Sequence, residues 1–377
     1  MTGKNYMVAR IPGDGIGPEV IGEASRILEA AGRKYGFSLT WADYPFGADH
    51  YLKTGEILPA SALEEMGSMD ALLLGAVGDP RVKPGILERG ILLTIRFHFD
   101  QYVNLRPAKS YPRVPLPVAP KGGKGLDTLV VRENTEDFYI GIGSRTEKGS
   151  ADFSLDTKRG LYTLEGNLRG SFSGGVEGAF QLGVASEPAV RRVVAYGCRA
   201  AKARGEDKIT LASKSNALPQ IYGFWEDIAK DEAARHGMGL GIVNADAMCY
   251  HLVRTPDLYG VVVAPNMFGD IVSDLLAGLA GGLGVAAGAD IGDSLSMFEP
   301  IHGSAPDIAG TGKANPIAAI LTGALLLEHI GERTAAKAVE DSLTAFLAES
   351  APEDLPVEFG GQGTTRGVGE AILKRIQ

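Results

Sequence analysis

Short apolar runs recur along this chain, and each leads through a polar or glycine turn into a segment of helical periodicity. The runs are Met7 to Ile11, Ala71 to Leu74, Asp127 to Val131, Lys208 to Ser213, Gly239 to Val243 and Tyr259 to Val263. Strands this apolar need cover on both faces, and helices between them supply it. The pattern predicts an α/β chain with mostly parallel sheets. Val20, Ala24, Ile27, Leu28 and Ala31 share one stripe of a helix predicted from Pro18 to Ala31 and closed by Gly32. Ser186-Glu187-Pro188 marks another helix start, with Ser186 as cap and Gly205 as stop. Pro316 to Leu327 reads as a buried helix, and Thr334 to Glu349 and Glu370 to Ile376 as helices of the tail.

With 377 residues the chain has room for two domains. The net charge of −9 leaves no basic surplus for nucleic acid or an anionic membrane, so an anionic ligand needs a local arginine cluster. Cys198 and Cys249 are too few for a disulfide framework, which points to a reducing cytoplasm. No apolar leader segment follows Met1, and the Pro316 helix is too short to span a bilayer.

Asp270 and Asp274 follow the Tyr259 run at helical spacing, which stacks two carboxylates on one face. Such a pair repels itself unless a cation or a proton intervenes, and oxygen ligands suit Mg²⁺ or Mn²⁺. A solvated helix start is the plainer alternative, since aspartate favours a first turn. Gly13-Asp14-Gly15-Ile16-Gly17 joins a strand to a helix but lacks the G-x-G-x-x-G spacing, so it reads as a tight turn near a ligand and not as a Rossmann loop. Arg96, Arg106 and Arg132 fall near element ends, where a guanidinium can take a carboxylate bidentately or simply pair with a surface acid. Lys214, at a strand end, is an acid/base group or a solvent-facing lysine. His302 lies in a loop of small residues open to a flat, polar ligand, or is an ordinary hydrogen-bonded loop histidine. Gly141 to Gly178 reads as extended hairpin material.

Six segments in order resemble the β-decarboxylating dehydrogenases, the isocitrate/isopropylmalate dehydrogenase family. They are Ile11 to Glu19, Asn104 to Pro107, Arg132 to Glu136, Lys214 to Asn216, Asn266 to Asp274 and Glu299 to Asp307. The resemblance implies a two-domain fold of that family's type, with mostly parallel sheets and a non-Rossmann dinucleotide site. It implies a discontinuous first, cofactor-side domain of residues 1–104 and 280–377. The second domain would be 105–279, with a dimerisation arm at about 138–178. It further implies a homodimer with shared active sites. Arg96, Arg106 and Arg132 would hold substrate carboxylates. Asp270 and Asp274, with Asp246 of the second chain, would hold Mg²⁺ or Mn²⁺. Tyr139 and the second chain's Lys214 would be the acid/base pair. Glu299, His302, Gly303, Ser304, Ala305, Asp307 and Asn315, with Asn216, would line the cofactor site. Asp307 would accept from an adenosine 2′-hydroxyl and repel a 2′-phosphate, favouring NAD.

Residues Glu88 to Arg96 bear on the substrate. Ile91, Leu92 and Leu93 suit an alkyl substituent, so the resemblance implies a 3-substituted malate, first of all 3-isopropylmalate. Glu88 stands one residue farther from Arg96 than in many isopropylmalate enzymes. The Phe99 to Asn104 run is nearer to tartrate and D-malate enzymes, so these and homoisocitrate remain alternatives. A carboxylate-metal hydrolase would use the aspartates but would have no need of the Glu299 to Asp307 loop.

Overall fold

The computed structural model describes residues 3–119, 125–146, 150–158, 162–171 and 176–376. Among them the strands are β1 (Asn5–Gly13), β2 (Ser38–Asp43), β3 (Ala71–Ala76), β4 (Val103–Lys109), β5 (Asp127–Glu133), β6 (Gly143–Thr146), β7 (Ser150–Lys158), β8 (Thr163–Ser171), β9 (Gly178–Gln181), β10 (Lys208–Ser213), β11 (Gly239–Asn244), β12 (Val261–Ala264), β13 (Ala287–Ile291) and β14 (Met297–Pro300). The α-helices are α1 (Gly17–Tyr35), α2 (Ala48–Thr54), α3 (Ala60–Met66), α4 (Thr94–His98), α5 (Glu187–Ala203), α6 (Pro219–Arg235), α7 (Ala245–Arg254), α8 (Asn266–Leu279), α9 (Ile317–His329), α10 (Arg333–Glu349) and α11 (Thr365–Ile376).

Two compact units divide the chain. The first comprises Met1–Leu129, Leu252–Leu258 and Ser273–Gln377, and the second Val130–His251 and Tyr259–Val272. The first boundary, expected after residue 104, falls after Leu129. The reason is local: β4 pairs with β13, Asn104 opposite Asp290 and Leu105 opposite Ala289, which ties β4 to the first unit. The last boundary runs through α8, between Val272 and Ser273.

In the first unit the strands run β4-β13-β14-β3-β1-β2, parallel except where β13 opposes both its neighbours. All six residues of β3 are buried, as its unbroken apolar run requires. Helix α1 continues past Gly32 and stops at Gly36, whose φ of 84° gives the left-handed turn that its N–H needs to reach Gly32 O. Gly32 is inside the helix because a side chain there would strike Phe37. Helix α9 is buried on nearly every side, as its composition foretold. α11 begins at Thr365, several residues before the predicted start.

The second unit carries β11, β10, β12 and β5 in that order, with β10 parallel to both its neighbours. Ser186 caps α5 as predicted, its hydroxyl accepting from Ala189 N. Within the expected hairpin stretch, β6 pairs with β9 and β7 with β8, both antiparallel. Residues 147–149, 159–161 and 172–175 of that stretch lie outside the described residues. Among the described residues no helix is long and apolar enough to cross a membrane.

Candidate active site

Helix α8 follows β12 and starts under control of Asp137, whose carboxylate accepts from Met267 N at 2.9 Å and from the Tyr222 hydroxyl at 3.2 Å. Burial is the main cause that raises the Asp137 pKa. In the second unit, Arg132 ends β5 with its side chain only 2% exposed. Its Nε and Nη2 donate to Asn266 Oδ1 at 3.0 and 2.7 Å, and its Nη1 donates to Asp270. Gly269 makes that approach possible, because a Cβ there would lie 2.4 Å from Arg132 Cγ. The Tyr139 hydroxyl donates to the other Asp270 oxygen at 2.9 Å, and its ring stacks 5.2 Å from the Arg132 guanidinium carbon.

The segment behind Arg132 is a buried acidic loop. Glu133 accepts from the backbone N–H groups of Thr135 and Glu136 and from the Thr135 hydroxyl. Burial, then the charge of Glu136, nevertheless raises its pKa to about 7. Glu136 accepts from the N–H and hydroxyl of Ser186 at 2.8 and 2.6 Å. These acids therefore shape the loop that aims Arg132. Also in the second unit, Lys214 Nζ lies 2.8 Å from Asp246 Oδ2, and that hydrogen bond is the main cause lowering the Asp246 pKa. Asn216, just beyond, is exposed.

In the first unit, Arg106 donates from Nη1 to Asp274 Oδ1 at 2.9 Å and to Ser273 Oγ at 3.0 Å. Its Nε donates to Asn104 Oδ1 at 2.7 Å. Arg96 is buried, with Nη2 donating to Glu299 Oε1 at 2.7 Å and Nε 3.2 Å from Asp290 Oδ1. Two carboxylates thus face one guanidinium. Burial and the charge of Asp290 push Glu299 up to about 7. Glu88 to Leu93 form a π-helix, whose i→i+5 bonding takes up one residue more than an α-turn. Glu88 accepts from Gly85 N at 2.9 Å, and Leu92 and Leu93 are half-buried, Leu92 packing against the apolar core.

The loop after β14 meets the glycine turn after β1: Ile16 N donates to Ser304 O at 2.8 Å. Gly15, at φ +58°, is required there, since a Cβ would lie 1.9 Å from that oxygen. His302 Nδ1 sits 3.1 Å from Gly303 O, while Nε2 is buried without a hydrogen-bond partner. If Nδ1 carries the proton, Nε2 is an acceptor kept for a ligand donor. Burial lowers the His302 pKa, favouring that neutral ring. Gly303 and Asp307 are exposed, and Ala305 turns the loop at φ 39°. Asn315 is engaged in starting α9: it accepts from Ile317 N at 3.1 Å and donates to Glu358 at 2.9 Å.

Each expected metal carboxylate thus has a cationic partner: Arg132 for Asp270, Arg106 for Asp274, Lys214 for Asp246. The three are not gathered into one cluster among the described residues. Asp270 and Asp274 remain four apart on α8, partly exposed and oxygen-only, which fits a hard divalent ion. The unpartnered His302 nitrogen in a loop of small residues fits a heteroaromatic base. Asn266, Asn104 and Asp290 went unassigned in the sequence. A neutral amide gives no sign of which arginine it will hold, and Asp290 is brought to the arginines only by strand pairing.

A family model described as isocitrate/isopropylmalate dehydrogenase matches residues 7–372. The chain is 40% identical to a 3-isopropylmalate dehydrogenase of Thermobifida fusca over 380 residues, covering 100% of this chain and 99% of that one. It is 40% identical to a 3-isopropylmalate dehydrogenase of Streptomyces coelicolor, over 99% of both chains. Among solved structures, an isocitrate dehydrogenase from Methylococcus capsulatus superposes with a TM-score of 0.81 at 30% identity, covering 98% of this chain and 99% of that one. A β-decarboxylating dehydrogenase from Thermococcus kodakarensis gives 0.75 at 31% identity, covering 98% and 96%.

Proposed function

Because the chain belongs to the isocitrate/isopropylmalate dehydrogenase family, we propose that it is an NAD- and divalent-metal-dependent enzyme that oxidises and decarboxylates 3-isopropylmalate. The observation that carries this reading is the pairing of Arg132 with Asp270 and of Arg106 with Asp274. Carboxylates suited to a metal lie on one helix, each beside a strand arginine suited to a dicarboxylate, as joint binding of a diacid and a divalent ion requires.

In this reading Arg96, Arg106 and Arg132 hold the two carboxylates. Asp270, Asp274 and a second copy's Asp246 would hold Mg²⁺ or Mn²⁺, which would supply Lewis acidity toward the substrate hydroxyl and toward the negative charge of decarboxylation. The second copy's Lys214 Nζ takes the hydroxyl proton, and the Tyr139 hydroxyl returns a proton to carbon. His302 and Asp307 would hold the adenosine part of NAD, His302 through its unpartnered Nε2 and Asp307 through its carboxylate. Leu92 and Leu93 on the π-helix face the alkyl group.

A second copy of the chain completes the site. Asp246, Tyr250 and Val253 fall at i, i+4 and i+7 on α7, and Tyr250 and Val253 are 64% and 46% exposed. A copy that covers this apolar stripe also covers Asp246 and its partner Lys214. The β7–β8 ribbon is the proposed dimerisation arm, and the first unit the cofactor side. The test is a panel of 2-hydroxy diacids followed by NADH formation. 3-Isopropylmalate should give the highest kcat/KM, by about tenfold or more over D-malate, from burial of the isopropyl carbons. A higher kcat/KM on D-malate, tartrate or homoisocitrate would reassign the substrate. Turnover of none of them would overturn the reading.

A further inference from the structure

Glu299, Asp290, Asn104 and Arg106 occupy one face of three adjacent strands in the first unit. Asp290 lies opposite Asn104 across β13 and β4, and opposite Met297 across β13 and β14. Glu299 is two residues beyond Met297, and Arg106 two beyond Asn104, so strand periodicity keeps all four on that face. With Arg96 they form one continuous run of polar contacts. Arg96 joins Glu299 at 2.7 Å and Asp290 at 3.2 Å. Asn104 Nδ2 donates to the same Asp290 oxygen at 2.6 Å, and Asn104 Oδ1 accepts from Arg106 Nε at 2.7 Å.

The chemistry of that junction fixes a direction. A guanidinium only donates, so Asn104 must turn its carbonyl to Arg106, and this points its NH₂ at Asp290. Both Asp290 and Asn104 are buried, so solvent does not compete for either bond. We propose that Asp290 is the positioning residue for both substrate arginines, holding Arg96 directly and aiming Arg106 through the Asn104 amide. The proposal rests on the reading above that Arg96 and Arg106 bind the diacid. Asp290 itself touches no substrate. A carboxylate that served only to neutralise Arg96 would affect folding but would not discriminate between diacid and NAD.

The experiment compares Asp290→Ala, Asp290→Asn and Asn104→Ala in the full chain, with Arg96→Ala and Arg106→Ala as controls, by steady-state kinetics on 3-isopropylmalate and NAD with Mn²⁺. Asp290→Ala should raise the KM for the diacid tenfold or more and leave the KM for NAD within twofold. Asp290→Asn still offers an acceptor to both neighbours but can also present its NH₂, so it should fall between parent and Asp290→Ala. Asn104→Ala should raise the diacid KM about fivefold, and it carries the test together with Asp290→Asn if Asp290→Ala does not fold. Diacid KM values unchanged in the Asp290 and Asn104 variants, or raised equally for NAD, overturn the proposal while damaged arginine controls leave the parent reading standing. Unchanged KM in the arginine controls overturns that reading and the proposal with it.

Discussion

Asn266→Ala is the sharpest test of how the second unit holds Arg132. Asn266 is buried, and its Oδ1 accepts from both Nε and Nη2 of Arg132. Hydrogen bonds to a charged donor contribute about 1.5–3 kcal/mol each. The two share one acceptor, and water entering the vacated space recovers part of the loss, so a destabilisation of about 2–4 kcal/mol is expected. Urea titration reads this as a lower midpoint at unchanged slope. Arg132 would still meet Asp270 and the Tyr139 ring, but without the two bonds that fix the plane of its guanidinium. A loss of about 1–2 kcal/mol in diacid binding then appears as a roughly 5–30-fold rise in the diacid KM. The KM for NAD should stay within twofold. A variant as stable as the parent to within about 0.5 kcal/mol, with an unchanged diacid KM, would refute the claim that Asn266 orients Arg132.

Lys214→Ala and Tyr139→Phe, each inactive alone, should recover part of the activity when mixed as heterodimers, because one of the two sites then keeps both groups; no recovery after verified subunit exchange would argue against shared sites. Glu133 titrates near 7 in the folded chain against its ordinary 4.5, so the folded state binds the extra proton between those values and stability falls as pH rises through that window. Glu133→Gln should flatten that part of the stability–pH curve relative to the parent, by on the order of 2 kcal/mol in urea titrations at pH 4.5 and 8, and parallel curves would show that Glu133 does not titrate there.

The sequence made legible whatever depends on period and punctuation. Apolar runs located the central strands because a strand buried on both faces has to be apolar throughout, as β3 is. The Ser186 cap was readable because its chemistry is local. Gly32 misled because its reason is tertiary: it makes room for Phe37, and the stop lies at Gly36. The arginines and aspartates of the candidate site were identified by residue type and motif. Their mutual pairing was not, since Arg106 and Asp274 or Arg132 and Asp270 lie far apart in the chain and meet only through strand order. The π-helix at Glu88 to Leu93 was not legible, because its i→i+5 bonding leaves no mark in residue type or period. Asp290 offered nothing local, because its significance comes from standing opposite Asn104 on a neighbouring strand.

The same cross-pairing predicts that metal and diacid bind interdependently. Three of the four cations proposed for substrate contact or catalysis, Arg106, Arg132 and Lys214, are held by carboxylates proposed for the metal. A divalent ion that draws on Asp270, Asp274 and Asp246 weakens their hold on Arg132, Arg106 and Lys214, and a dianion that draws the arginines away frees the aspartates. Each ligand alone has to open these pairs; bound together they open them once. Asp246 and Asp274 are well exposed, with side chains 69% and 58% accessible, so solvent screens their pairs and opening them costs little. The shared saving is therefore modest, a gain of about fivefold or more in the affinity of either ligand when the other is present. Calorimetric titration of the diacid with and without Mn²⁺, and of Mn²⁺ with and without the diacid, measures the factor from both sides. Arg106→Met should reduce it, since Asp274 then has no guanidinium to release. Equal diacid affinity with and without Mn²⁺ would mean that these ion pairs persist in the complex and that the aspartates and arginines do not serve the two ligands as assigned.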